Sequence, residues 1–153
     1  MTQTTTNIAV QGTEVFIEGQ GEETIVCIHG WPDTHRLWDR TVQALQGRYR
    51  CVRFTLPGFE GPPRQGQKAL TLAELTARLL AIVDAVSPGQ PVTLLLHDWG
   101  CVFGYELAAR HPERVASLFL IEAHFAVEGW GEQMAGSLAL AAFGLDEDAV
   151  QDW

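Results

Sequence analysis

The chain has 153 residues, the size of one ordinary domain, and its 46% hydrophobic content supplies enough apolar surface for a sizeable core. Its formal net charge of -9 excludes a basic surface for nucleic acid or anionic lipid, so neither is expected as a partner. Three cysteines without paired metal-ligand spacing, no apolar run of about eighteen residues and no signal peptide predict a cytoplasmic protein with neither metal nor membrane span.

The predicted elements begin with a hairpin and then alternate between strands and helices. Two runs of alternating side chains, residues 8–11 and 13–18, predict the strands of the hairpin. Apolar runs typical of buried strands follow at residues 24–28, 49–54, 92–96 and 115–121. Helical spacing of apolar side chains predicts helices at residues 33–46, 72–86 and 102–109. Such alternation implies right-handed crossovers and a parallel sheet behind the hairpin.

The turn Leu96-His97-Asp98-Trp99-Gly100, here called the elbow, carries the strongest functional signal because it joins a buried strand directly to a helix. A sharp turn there lifts residue 98 out of the sheet at the positive helix N-terminus, and Gly100 lets the helix pack closely. A carboxylate in that place can displace a leaving group from an sp3 carbon and form an alkyl ester, which water then hydrolyses. An aspartate that opens a helix is also a common N-cap worth about 1 kcal/mol, so both roles are open at this point.

Three further motifs follow in a fixed order along the chain. They are His29-Gly30-Trp31-Pro32, Leu56-Pro57-Gly58-Phe59 and His111-Pro112-Glu113-Arg114-Val115. Together with the elbow, they make residues 8–125 resemble the α/β-hydrolase family, in particular its aspartate-nucleophile branch of epoxide hydrolases and haloalkane dehalogenases. The resemblance implies an α/β fold with a mostly parallel sheet and helices on both faces, lacking the last strands and most of the lid. Residues 1–125 would form the N-terminal part of the core, and residues 126–153 the start of the lid, or cap.

The resemblance also implies a set of site residues. Asp98 is the expected nucleophile, and the backbone N–H groups of Trp31 and Trp99 are the expected oxyanion hole. His29 and Gly30 belong to the same loop as Trp31 and are expected at the substrate pocket. The expected substrate is a small apolar electrophile, an epoxide or an alkyl halide, and the expected chemistry uses no cofactor.

Glu122 is the candidate acid of the site. It closes the 115–121 run at the position where haloalkane dehalogenases and some related hydrolases hold the acid that orients a histidine. It is equally explained as an exposed carboxylate at a strand end, since many family members place their acid one strand later. His29 and His97 have a simpler role as hydrogen-bonded structural histidines, with His97 pointing away from the reacting atoms.

Three departures from the family pattern affect the substrate. Thr55 stands where aspartate is frequent, Glu60 stands where glycine is common, and Trp31 replaces the asparagine of many dehalogenases. The change at Trp31 leaves epoxide opening ahead of dehalogenation. No serine occupies the elbow, which disfavours a serine esterase, and no glycine-rich phosphate motif follows a strand.

In this family the general-base histidine follows the last sheet strand, far beyond Glu122, and none of the five histidines of the sequence stands there. We therefore expect the chain alone to be a weak or inactive catalyst. The alternative function is a non-catalytic, hydrolase-like binding or interaction protein. The 115–121 strand would also be an apolar sheet edge, which predicts self-association.

Overall fold

The computed structural model describes residues 5–61, 65–66 and 68–121. The strands are β1 (Thr5–Val10), β2 (Thr13–Glu18), β3 (Thr24–Ile28), β4 (Arg50–Phe54), β5 (Val92–His97) and β6 (Val115–Ile121). The helices are α1 (Asp39–Leu45), α2 (Leu72–Val86) and α3 (Trp99–Arg110), with 3-10 turns at His35–Trp38 and Pro112–Arg114. Every strand and helix predicted within the described residues is therefore present. None of the described helices is both long and apolar enough to cross a membrane.

The described strands form one six-stranded sheet with the order β1-β2-β4-β3-β5-β6. β1 pairs antiparallel with β2, and β2 pairs antiparallel with β4. The strands β4, β3, β5 and β6 are parallel to one another. The chain leaves β3 towards β4 on one side and returns to β5 on the other, so the strand order reverses between β3 and β5. The crevice outside the carboxyl ends of strands at such a reversal is where open α/β sheets bind ligands. Ile28 pairs with Leu96, so the loop after β3 and the elbow start side by side.

Each face of the sheet has its own apolar core. The larger core packs α2 and α3 against inward side chains of the central strands, among them Val26, Ile28, Val52, Leu94 and Leu96. The smaller core packs α1 and the preceding 3-10 turn against the opposite face, with Ile25, Cys27, Trp38, Val42 and Cys51 as its buried members. Burial on both faces explains the continuous apolar run of β3. The expectation of a buried strand at residues 115–121 is wrong, because β6 is the end strand of the described sheet and exposes Phe119 and Ile121.

The helix predicted at residues 33–46 begins later than expected and in a different form. Asp33 N–H donates to the Gly30 carbonyl at 3.0 Å, so residues 30–33 form a turn. Thr34 then caps a 3-10 turn, its side chain accepting from the Arg36 N–H, before α1 begins at Asp39. The turn and the 3-10 turn contain the residues that the apolar periodicity assigned to the start of the helix. The helix α1 therefore begins later than predicted.

Candidate active site

Asp98 occupies the elbow between β5 and α3 with a strained backbone, φ 52° and ψ -125°. Such a conformation costs a residue with a side chain on the order of 1–3 kcal/mol and persists only where surrounding contacts impose it. Two contacts do so: Cys101 N–H donates to the Asp98 carbonyl at 2.9 Å, and Asp98 N–H donates to the Ile121 carbonyl at 3.4 Å. The half-buried carboxylate makes no capping hydrogen bond to α3. The geometry therefore differs from that of a simple N-cap.

Two glycines let the surrounding backbone approach the elbow. A Cβ at Gly100 would collide with the Ile28 carbonyl oxygen and would stand 2.8 Å from that of His29, so α3 packs directly on the end of β3. A Cβ at Gly30 would stand 2.5 Å from Asp98 Cβ and 2.7 Å from Asp98 Cγ. The loop after β3 therefore lies against the Asp98 side chain, at a distance that only glycine permits.

Trp31 supplies a hydrogen bond to the carboxylate. Its backbone N–H donates to Asp98 Oδ1 at 2.9 Å, although the two residues lie 67 positions apart in the sequence. Trp99, whose N–H is the second expected donor, is the first residue of α3 and follows Asp98 directly. The positive end of the α3 dipole adds to the field at the carboxylate. Together these groups can stabilise negative charge on an Asp98 oxygen.

His29 is fully buried and has both ring nitrogens engaged. Its Nδ1–H donates to the Gly30 carbonyl at 2.8 Å, and its Nε2 accepts from the Leu56 N–H at 2.8 Å. Burial lowers the pKa of the imidazole, which keeps it neutral. His29 thus ties the loop after β3 to the loop after β4, an arrangement that suits a positioning role. His97, largely buried, has its Nδ1 3.8 Å from Asp33 Oδ2.

Cys101 carries a second potentially nucleophilic group close to the elbow, a thiol in the first turn of α3. It is free and fully buried, and burial raises the pKa of its thiol to about 11. A thiol with that pKa stays protonated near neutral pH and does not compete with Asp98 as a nucleophile. Across residues 5–61, 65–66 and 68–121, no group of three or more His, Cys, Asp or Glu side chains could hold a metal ion.

Four aromatic rings, here called the aromatic row, run beside the elbow from Trp31 to Trp99. Phe59 lies edge-on to Trp31 at a centroid distance of 6.2 Å and edge-on to Phe103 at 6.3 Å, and Phe103 stacks on Trp99 at 6.2 Å. The two phenylalanines are half-buried, whereas Trp31 is 67% exposed and Trp99 is 46% exposed. Sequence analysis missed Phe103, and the signal was its spacing of four residues from Trp99, which places both on one helix face.

Glu122, His124 and the predicted lid at residues 126–153 lie outside the described residues. Ile121, the residue before Glu122, ends β6 and accepts the hydrogen bond from Asp98 N–H.

Comparison with known proteins identifies the family. Residues 23–146 match the family model for the alpha/beta hydrolase fold. The chain is 38% identical over 107 residues, 67% of its length, to "Probable oxidoreductase EphD" of Mycobacterium tuberculosis. It is 33% identical over 110 residues, 70% of its length, to a haloalkane dehalogenase of Mycolicibacterium smegmatis. These matches span 18% and 35% of the two relatives, so the chain covers only a minor part of each.

Among solved structures, the chain is similar to an epoxide hydrolase from Vigna radiata, with a TM-score of 0.67 and 26% identity. The match covers 80% of this chain and 41% of that structure. These findings confirm the fold that the four ordered motifs predicted. The chain therefore belongs to the α/β-hydrolase fold family and is related there to epoxide hydrolases and haloalkane dehalogenases.

Proposed function

We propose that Asp98 is a nucleophile that opens small epoxides and forms an alkyl ester. The observation that carries this proposal is the hydrogen bond of 2.9 Å from Trp31 N–H to Asp98 Oδ1, made at a strained, non-capping elbow. The bond holds one carboxylate oxygen, so the other is the attacking oxygen. Trp31 stands where many haloalkane dehalogenases have an asparagine, and this difference favours an epoxide over an alkyl halide as the substrate.

The first half-reaction needs only the carboxylate and a proton from water. The free Asp98 oxygen bonds to one ring carbon, the epoxide C–O bond breaks, and the electron pair stays on the epoxide oxygen, which takes the proton. When water later attacks the ester carbonyl, negative charge develops on the oxygen that Trp31 N–H contacts. One donor of this kind contributes about 100- to 1000-fold to such a step.

The second half-reaction needs a base that activates water. His29 is excluded from that role by its geometry, since it is fully buried and both of its ring nitrogens are engaged. We propose Glu122 as the acid that would orient a histidine base, and residues 126–153 as the start of the lid. We further propose that the 153-residue chain forms the ester faster than it hydrolyses it.

Intact-mass spectrometry of the purified chain with a small epoxide tests this function. We expect one added epoxide mass per chain, at a rate that exceeds that of Asp98→Asn by at least about 100-fold, and little diol in solution. Equal labelling of wild type and Asp98→Asn would refute the nucleophile. Sustained diol production would refute the claim of slow ester hydrolysis. Binding of the epoxide without an adduct, unchanged in Asp98→Asn, would support a hydrolase-like binding protein instead.

Self-association is proposed through β6. In the described part of the chain β6 pairs only with β5, so its other edge is open. Phe119 is 59% exposed and Ile121 is 44% exposed on that strand. An open apolar edge of this kind pairs readily with another chain. Size-exclusion chromatography with light scattering would show a dimer or larger species, whereas a stable monomer at micromolar concentration would contradict the proposal.

A further inference from the structure

The aromatic row includes two exposed indoles, and both belong to residues whose backbone adjoins the proposed nucleophile. Trp31 carries the N–H that contacts Asp98, and Trp99 follows Asp98 in the chain. Their rings are joined through Phe59 and Phe103, which are half-buried and contact each other edge-on. The two residues adjoining Asp98 therefore carry the ends of one set of aromatic rings that contact each other.

The contacts within the row favour one kind of ligand. Aromatic rings prefer edge-to-face and offset-stacked partners, and such pairs gain more than their buried area alone provides. A saturated ring of the same size buries similar area on the row but lacks the quadrupole for these contacts. The exposed faces of Trp31 and Trp99 are thus matched to a planar aryl group rather than to an alkyl chain.

We propose that the preferred substrates are small epoxides that carry an aryl group, and that Phe103 is a specificity-determining residue. This inference rests on the proposed function, because it names the substrate class of the same site. The aryl ring packs against the aromatic row while an Asp98 oxygen bonds to the terminal epoxide carbon. The C–O bond at that carbon breaks, and the epoxide oxygen keeps the electron pair and takes a proton from water.

Phe103 acts by packing on Trp99. Its ring stacks on Trp99 with an interplanar angle of 22° and touches Phe59 edge-on, so it connects the two halves of the row. Leucine at this position keeps most of the apolar volume and removes both ring contacts. Trp99 would then lose this stacking contact, and the discrimination between aryl and saturated rings would fall.

The test compares adduct formation by benzyloxirane and by (cyclohexylmethyl)oxirane, which have the same carbon count and an epoxide one methylene away from the ring. That spacing keeps the intrinsic reactivity of the two epoxides alike. We expect wild type to react about tenfold faster with the aryl epoxide, the ratio given by one good aromatic contact. The ratio should fall towards one in Phe103→Leu and remain in Phe119→Leu, the matched control on β6.

A competition experiment covers the case in which Phe103→Leu does not fold. Benzyl alcohol should slow labelling of wild type at a concentration at which cyclohexylmethanol does not. Equal rates with the two epoxides, or equal protection by the two alcohols, would overturn the aryl preference and leave the nucleophile intact. No Asp98 adduct with either epoxide would overturn the proposed function itself.

Discussion

Gly30→Ala should separate the chemistry of the site from the stability of the fold. The added Cβ would stand 2.5 Å from Asp98 Cβ, whereas real Cβ contacts essentially never fall below 3.0 Å. The carboxylate or the loop must therefore shift by about half an ångström, which lengthens the Trp31 N–H contact from 2.9 Å beyond the normal range of about 3.2 Å. Overpacking of this kind costs about 1–3 kcal/mol of folding stability.

The effect on chemistry should be larger than the effect on folding. Displacement of a reacting group by about 1 Å costs about 100-fold in rate, which applies to the attack of Asp98 on the epoxide. Loss of the Trp31 donor acts on the later hydrolysis of the ester, where it costs about 100- to 1000-fold. We therefore expect Gly30→Ala to form the Asp98 adduct at least about tenfold more slowly, and to hydrolyse it more slowly still, while remaining folded by circular dichroism. Gly47→Ala is the matched control, because a Cβ at Gly47 meets nothing within 4 Å. A Gly30→Ala protein that reacts at the wild-type rate would refute the close approach of loop and nucleophile.

Four further predictions concern stability and assembly. Because burial lowers the pKa of His29, the free energy of unfolding should fall as the pH drops below 6.5. Urea titrations at pH 7 and pH 5 would show this fall, and it should be smaller in His29→Gln. Gly100→Ala should cost about 3 kcal/mol in denaturant unfolding, since its Cβ meets rigid backbone carbonyls of β3 and the loop that follows it. Thr71→Ala, which removes the capping box of α2, should cost about 1 kcal/mol in the same assay. Phe119→Lys should reduce self-association in size-exclusion chromatography, and an unchanged elution volume would contradict the β6 edge.

The local pattern of apolar and polar residues was sufficient to predict most of the fold. Apolar runs made β3 to β6 predictable within about two residues. Of these four strands only β3 is buried along its whole length, and β6, expected as a buried strand, exposes Phe119 and Ile121. The capping box at Thr71 encodes the start of α2, and the proline that follows His111 encodes the end of α3. The exception was the start of the first helix, because the hydrogen bond from Asp33 N–H to the Gly30 carbonyl makes a turn that periodicity does not reveal.

The site was predictable where a motif encodes a backbone feature. The elbow sequence predicted both the turn at Asp98 and the close packing of Gly100. Contacts between distant residues needed the fold, for example the hydrogen bond from Leu56 N–H to His29, 27 positions apart. The same holds for the ring contacts of Phe103, which no motif contains. The catalytic roles of Asp98, Trp31, Trp99 and Glu122 stay predictions.

The site of covalent attachment tests the central claim most directly. After brief reaction with a small epoxide, the chain is digested at low pH, and tandem mass spectrometry locates the added mass among its 19 aspartates and glutamates. We predict a single ester on Asp98, formed with saturable kinetics and absent from Asp98→Asn. An adduct spread over surface carboxylates, or confined to another residue, would contradict the account.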